Sequence, residues 1–301
     1  MKNMNKYENC LLCPRKCGIN RATGQTGVCG VSSEIKVARA ALHYWEEPCI
    51  SGEKGSGAVF FSGCSLHCVF CQNREISDGK AGKVISKERL SDIFLELKAK
   101  GANNINLVTP GQYIPDIVWA VSDARRRGME LPIVYNTSGY ENADELKQLE
   151  GIVDVYLPDF KYMDSALSAK YSRAKDYPSV AKQTISEMVR QQPRVVIDDA
   201  TGLIQKGVIV RQLLLPGHVN DAKTILKYLH DTYQDSIYIS MMSQFTPIAL
   251  KDYPEINRTV TRREYERLID YAINIGITNA FIQEGNVAKD SFIPAFDCEG
   301  V

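Results

Sequence analysis

The residues best suited to chemistry in this chain are cysteines. Cys64, Cys68 and Cys71 stand together in FFSGCSLHCVFCQN, at 60–73, and no fourth cysteine follows them there. Three thiolates can hold three irons of a four-iron, four-sulfur cube, leaving the last iron open to a substrate or cofactor, much as a catalytic zinc keeps one position open. The same trio also fits a zinc knuckle completed by His67. A second group, Cys10, Cys13, Cys17 and Cys29 in CLLCPRKCGINRATGQTGVCG, has the four thiols of a closed tetrahedral site, with Pro and Gly for the tight turns. Its spacing matches neither the usual zinc ribbon nor the bacterial ferredoxin run, so zinc and an auxiliary iron–sulfur cluster are both open. The flanking Pro, Arg, Lys and Gly argue against four thiols buried as small hydrophobes. Cys49 stands alone and reads as such a hydrophobe. Cys298, near the C-terminus, is a candidate hydrogen-atom relay over the site.

The chain that must position these groups has 301 residues, 44% hydrophobic and 24% charged, the make-up of one large globular domain or two small ones. Lys plus Arg equals Asp plus Glu at 36 each, so no global charge points to nucleic acid or an anionic membrane. The stretch MKNMNKYENC lacks an apolar signal core and no run of 18 apolar residues occurs, so a cytoplasmic location is expected. There, thiols stay reduced, and nine cysteines speak for metal binding or catalysis over a disulfide framework.

From residue 55 onward, apolar β-branched runs alternate with helical patterns. VFFSG (59–63), INLVTP (105–110), IVYNTS (133–138), VDVYLPDF (153–160), GVIVRQLLLP (207–216) and SIYISMMSQ (236–244) read as strands. Leu90, Ile93, Phe94 and Leu97, then Val118 and Val121, then Ala222, Ile225, Leu226 and Leu229 mark helix faces, and TRRE at 261–264 is a capping box. Strand–helix repeats with near-continuous apolar strands predict a parallel sheet covered by helices. No Gly-rich phosphate turn follows an early strand, which favours a partial parallel (β/α)6 TIM-like barrel over a doubly wound sheet. The expected organisation is a four-cysteine extension and linker at 1–54, the barrel at 55–284 and a tail at 285–301. Strand ends at one barrel mouth would gather the cysteine loop, Thr109 and Gln112 in TPGQ, Asn136 and Ser138 in NTSG, Asp159 and Lys161 in PDFKY, Arg211, Pro216–His218 and Ser243–Gln244. Asp159 and Lys161 share a face and suit either direct chemistry or a structural ion pair. His43 and His230 read as core or surface histidines, and Met241 and Met242 as packing.

CxxxCxxC with an aromatic, Phe70, before the last cysteine resembles the radical S-adenosylmethionine superfamily. Together with CLLCPRKCG, CQN, YNTSGY, YLPDFKY and VRQLLLPGH it resembles homologues of pyruvate formate-lyase activating enzyme, in particular the PflX-like branch, over nearly the whole chain. The resemblance implies that Cys64, Cys68 and Cys71 ligate a 4Fe-4S cluster whose unique iron binds S-adenosylmethionine, and that reductive cleavage yields a 5′-deoxyadenosyl radical for hydrogen abstraction. It implies cofactor contacts at Phe70, Thr109, Gln112, Asn136, Ser138 and Arg211, the guanidinium suiting a carboxylate, and a catalytic role for Asp159 and Lys161. Here the family's GGE turn is TPGQ and its DTNG is NTSG. The implied partners are a glycyl radical enzyme and a flavodoxin- or ferredoxin-like reductant. Modification of a small molecule or peptide side chain, and a non-catalytic zinc protein, are the other functional readings of these residues.

Overall fold

A computed structural model describes residues 6–248, 250–283 and 294–301. Its strands are β1 (Ile35–His43), β2 (Ser56–Phe61), β3 (Lys83–Ile85), β4 (Ile105–Val108), β5 (Ile133–Thr137), β6 (Val155–Pro158), β7 (Val196–Ile197), β8 (Ile204–Leu213), β9 (Tyr238–Met242) and β10 (Ala280–Ile282). Its helices are α1 (Pro48–Ser51), α2 (Arg74–Ser77), α3 (Lys87–Ala99), α4 (Ile114–Arg126), α5 (Ala143–Leu146), α6 (Ser165–Ser172), α7 (Tyr177–Gln191), α8 (Val219–Tyr233) and α9 (Arg262–Asn274). The sheet runs β10-β9-β8-β6-β5-β4-β2-β1-β3, parallel from β10 through to β2. It is an α/β fold with a mostly parallel sheet.

Six of the parallel strands fall where the β-branched runs place them, because strands covered on both faces must be apolar throughout: every residue of β2, β4, β5 and β6 is buried. The sheet departs from the six-strand expectation at its two ends. β10 adds a seventh parallel strand, while β1 lies antiparallel to β2 and carries β3 on its outer side. β1 thus belongs to the sheet, although a boundary at residue 54 leaves it in the linker. α6 and α7 fill the connection from β6 to β8.

The helices pack by their apolar faces. α3 buries Leu90, Ile93, Phe94 and Leu97, and its N-cap Ser86 accepts from the Arg89 N–H; α8 buries Ala222, Ile225, Leu226 and Leu229. α9 opens on the capping box of Thr261 and Glu264.

Three irregular segments finish the molecule. β1 ends opposite Ser56, at the N-terminal end of β2, so residues 44–51 lie beneath the sheet. Asn103 and Asn104 donate to the Ser51 and Ile50 carbonyls at 2.6 and 2.8 Å, and Cys49 and Ile50 pack against Val134, Val155, Leu157, Ile204 and Ile209. Cys49 is the buried small hydrophobe expected. The C-terminal segment lies along β1, with Cys298 N–H bonded to Ala38 O at 2.9 Å and Ala40 N–H to Glu299 O at 2.8 Å. The N-terminal cysteine segment packs on the loop that follows β2: the Cys64 N–H donates to Cys29 O at 3.2 Å, and Arg15 Nε donates to Ser65 O at 2.9 Å. No helix among the described residues is long and apolar enough to cross a membrane.

Candidate active site

The loop leaving β2 turns sharply at Gly63. Its φ is +90°, and a Cβ there would stand 2.7 Å from Cys29 O, so the turn takes only glycine. Beyond it, Cys64, Cys68 and Cys71 line a cavity of about 240 Å³. The same loop brings Phe70, and the strand ends bring Thr109, Asn136, Ser138, Asp159, Lys161 and Arg211, to this cavity, together with Leu213, Met242 and Gln244. Burial raises the three thiols, Cys64 to about 11 and Cys71 to about 12, so a metal must offset the cost of holding them as thiolates. Among the described residues no three His, Cys, Asp or Glu side chains gather as ligands of one ion. Thiolates of a four-iron cube each take a different iron and need not meet at a point. The donor set therefore fits three irons of such a cluster, with the polar strand ends beside it for a cofactor.

Each strand-end side chain has a definite setting. Lys161 Nζ bonds Asp159 Oδ2 at 2.6 Å within the cavity wall, so the ion pair forms, and the aspartate together with the nearby cysteines holds the ammonium above its ordinary range despite burial. Phe70 packs against Phe245 and edge-on to Tyr162. Thr109 has φ +56°, unusual for a β-branched residue, and its N–H is pinned to Asn136 O at 2.8 Å. Met242 lines the cavity and Met241 is packed in the core.

Two residues sit differently from expectation. Gln112 does not reach the cavity: its amide nitrogen is held by the carbonyls of Ser62, Gly63 and Thr109 at 2.8–3.1 Å, so it braces the cysteine loop. Arg211 does line the cavity, but its guanidinium is already engaged. Nε and Nη2 donate to Glu47 at 2.8 and 2.7 Å, and Nη2 also to Glu46. Glu46 accepts in turn from Asn106 at 2.9 Å and Asn136 at 3.3 Å. Desolvation raises Glu47 while Arg211 lowers it, and the arginine prevails, so the pair stays ionised.

Sequence reasoning missed Glu46 and Glu47, since they come from the segment beneath the sheet and not from a strand end. Their adjacency before Pro48 was the only signal. It also missed His43, which lines the cavity and stacks edge-on to Phe60 at 5.9 Å. His67 lies elsewhere, its Nε2 2.6 Å from Val28 O, and His218 meets the Tyr171 hydroxyl at 3.2 Å. Cys298 is tied to β1 and is not among the cavity's lining residues.

Cys10, Cys13, Cys17 and Cys29 line a second, much smaller cavity of about 20 Å³, shared with Arg21, Gln112 and Glu141. Arg21 is 1% exposed and donates to the carbonyls of Val31, Gln112 and Ser32 and, at 3.7 Å, to Cys10 Sγ. None of these hydrogen-bond partners is a carboxylate. Burial pushes the Cys13 thiol up to about 12 and the Glu141 carboxyl up to about 7.

Residues 58–205 match the family model of the Radical SAM superfamily. The uncharacterized protein MJ0674 of Methanocaldococcus jannaschii is 28% identical over 276 residues, which cover 89% of this chain and 75% of that protein. Among solved structures, SuiB of Streptococcus suis bound to S-adenosylmethionine aligns with a TM-score of 0.51 at 12% identity, over 74% of this chain and 49% of SuiB. A radical SAM methyltransferase from Sphaerobacter thermophilus aligns with a TM-score of 0.51 at 16% identity, over 76% of this chain and 66% of that one. The chain thus spans about half the length of SuiB, and at such identities the likeness is one of fold. Residues 58–205 thus resemble a radical S-adenosylmethionine domain, the domain of an enzyme family. Such a domain implies a 4Fe-4S cluster and S-adenosylmethionine, and the donor set of Cys64, Cys68 and Cys71 suits the first.

Proposed function

We propose that this chain reductively cleaves S-adenosylmethionine at a 4Fe-4S cluster held by Cys64, Cys68 and Cys71. The observation that carries the reading is the meeting of those three thiols with polar strand ends in one 240 Å³ cavity. When bound, the cluster supplies an electron to the sulfonium and so a 5′-deoxyadenosyl radical that abstracts hydrogen. The chain's own residues do the positioning. Gly63 and Gln112 fix the cysteine loop, and Asn136 and Ser138 present polar groups to a methionyl moiety. The Asp159–Lys161 pair sits inside the wall, where it orients a substrate or cofactor group. Arg211 keeps Nη1, 3.5 Å from Asn136 Oδ1, as its least engaged donor.

For the hydrogen donor we infer a backbone glycine of a glycyl radical enzyme, with a flavodoxin- or ferredoxin-like reductant supplying the electron. The motifs shared with activating enzymes support this. A small-molecule or peptide side-chain substrate is the second reading, favoured by Gln112, which occupies the turn where activating enzymes carry GGE and faces away from the cavity. The four N-terminal cysteines we read as ligands of a structural metal centre that draws them together on binding, since as they stand no three of them converge on one ion. A buried guanidinium without a carboxylate partner needs an anion, and thiolates supply it.

Anaerobic reconstitution with iron and sulfide, followed by dithionite and S-adenosylmethionine, tests the reading by mass spectrometry of 5′-deoxyadenosine. Product is expected from the unmodified chain and none from Cys68→Ala. Absence of product from a chain with an intact, reducible cluster counts against it. Metal analysis of the same samples separates one zinc per chain at the N-terminal cysteines from a second set of irons.

A further inference from the structure

Cys68 differs from the other two cysteines of the cavity in what reaches its sulfur. Cys64 Sγ accepts from a backbone N–H, that of Leu66, at 3.4 Å. Cys68 Sγ accepts from a side-chain hydroxyl, Ser172 Oγ, at 3.1 Å, and the Tyr162 hydroxyl stands 2.8 Å from that same oxygen. Ser172 and Tyr162 are wholly buried. A sulfur bound to iron has no proton to give, so the direction of the chain is fixed. Ser172 donates to the sulfur and Tyr162 donates to Ser172.

The surroundings hold both hydroxyls in place. Ser172 ends α6, where the Ser172 carbonyl accepts from Arg15 at 3.1 Å and the neighbouring Tyr171 carbonyl accepts from Val69 N–H at 2.9 Å. The helix end is thereby sewn to the cysteine loop on both sides of Cys68. The Tyr162 ring is wedged edge-on between Phe70 and Tyr177. Two buried hydroxyls spent on one another and on a sulfur add nothing to packing that Ala and Phe would not supply. A hydrogen bond to a cluster sulfur, however, strengthens as the cluster gains negative charge, and such bonds are among the determinants of cluster potential. The dry setting enlarges the effect.

We propose that the Tyr162–Ser172 hydroxyl chain raises the reduction potential of the cluster held by Cys64, Cys68 and Cys71, easing its one-electron reduction by a low-potential donor. The proposal rests on the reading of those cysteines as cluster ligands.

The test is an anaerobic redox titration of the reconstituted full chain, poised with dithionite and followed by electron paramagnetic resonance without S-adenosylmethionine. Ser172→Ala is expected to make reduction about tenfold less favourable, a shift of about 59 mV to more negative potential. Tyr162→Phe is expected to shift it the same way by less, and Ser172→Thr, which keeps the hydroxyl, to restore the original value. An unchanged midpoint in Ser172→Ala with full cluster content overturns the proposal. So does loss of the cluster from Ser172→Ala, which would make the hydroxyl an anchor for the loop. An unmodified chain that takes up no cluster fails the reading of the cysteines instead, and the two failures are distinct.

Discussion

Gly139 ends the third parallel strand in a left-handed turn, with φ +74°, and a Cβ there would collide with Asp159 O, the carbonyl of the residue whose side chain pairs with Lys161. Gly139→Ala is therefore expected to cost at least about 2 kcal/mol, from backbone strain plus overpacking, read as a lowered denaturant midpoint. Two residues on, Glu141 is buried with the Thr137 hydroxyl as its partner, and its carboxyl rises from 4.5 to about 7. Between those values the folded chain binds a proton that the unfolded chain has lost, so this group's contribution to stability falls as pH rises through the window. Unfolding measured from pH 4.5 to 7 should show that decline, on the order of 3 kcal/mol at most, and Glu141→Gln should flatten it. The site is legible in the sequence wherever a residue type has one main use: three clustered thiols, a strand-end ion pair, an aromatic before the last cysteine. Gln112 and Arg211 were harder to read, because amides and guanidinium groups serve backbone carbonyls and internal carboxylates as readily as cofactors.

At the scale of elements, the helix caps decide where the supporting layer begins. Glu264 closes the α9 capping box and also reaches the turn after β8, accepting from Gly217 N–H at 2.7 Å and pairing with Arg258 at 2.7 Å. Thr261→Ala should cost about 1 kcal/mol, the ordinary worth of an N-cap. Glu264→Ala should cost more, because it also frees the turn that follows the Arg211 strand, and thermal unfolding of the two variants ranks them. The parallel strands were legible because burial on both faces leaves an unbroken apolar run. β1 was not, since IKVARAALH mixes Lys36 and Arg39 into an edge whose outer side is only partly covered. α6, SALSAKYS, escaped because it is short and has almost no apolar stripe, its place being fixed by contacts to the cysteine loop, whereas α7 does carry a stripe of Ala181, Ile185 and Met188 that the strand–helix reading passed over.

On the scale of the whole molecule, the cavity depends on pieces far apart in the chain. Arg15, from the N-terminal cysteine segment, donates to Ser65, Ser172 and Arg173 carbonyls and so clamps the cysteine loop against the end of α6. Arg15→Ala should leave the melting temperature nearly unchanged while iron passes faster from the reconstituted protein to a chelator. An equally slow release would show the clamp to be dispensable. The pairing of residues 298 and 299 with β1 has a consequence for synthesis. A chain emerging from the ribosome makes β1 early and can pair it with β2 at once, yet the other side of Ala38 and Ala40 finds its partner only when residues some 260 positions later have emerged. Until then that strand edge offers unpaired backbone to any neighbouring chain, so a ribosome stalled before Phe296 releases a product prone to edge-to-edge association.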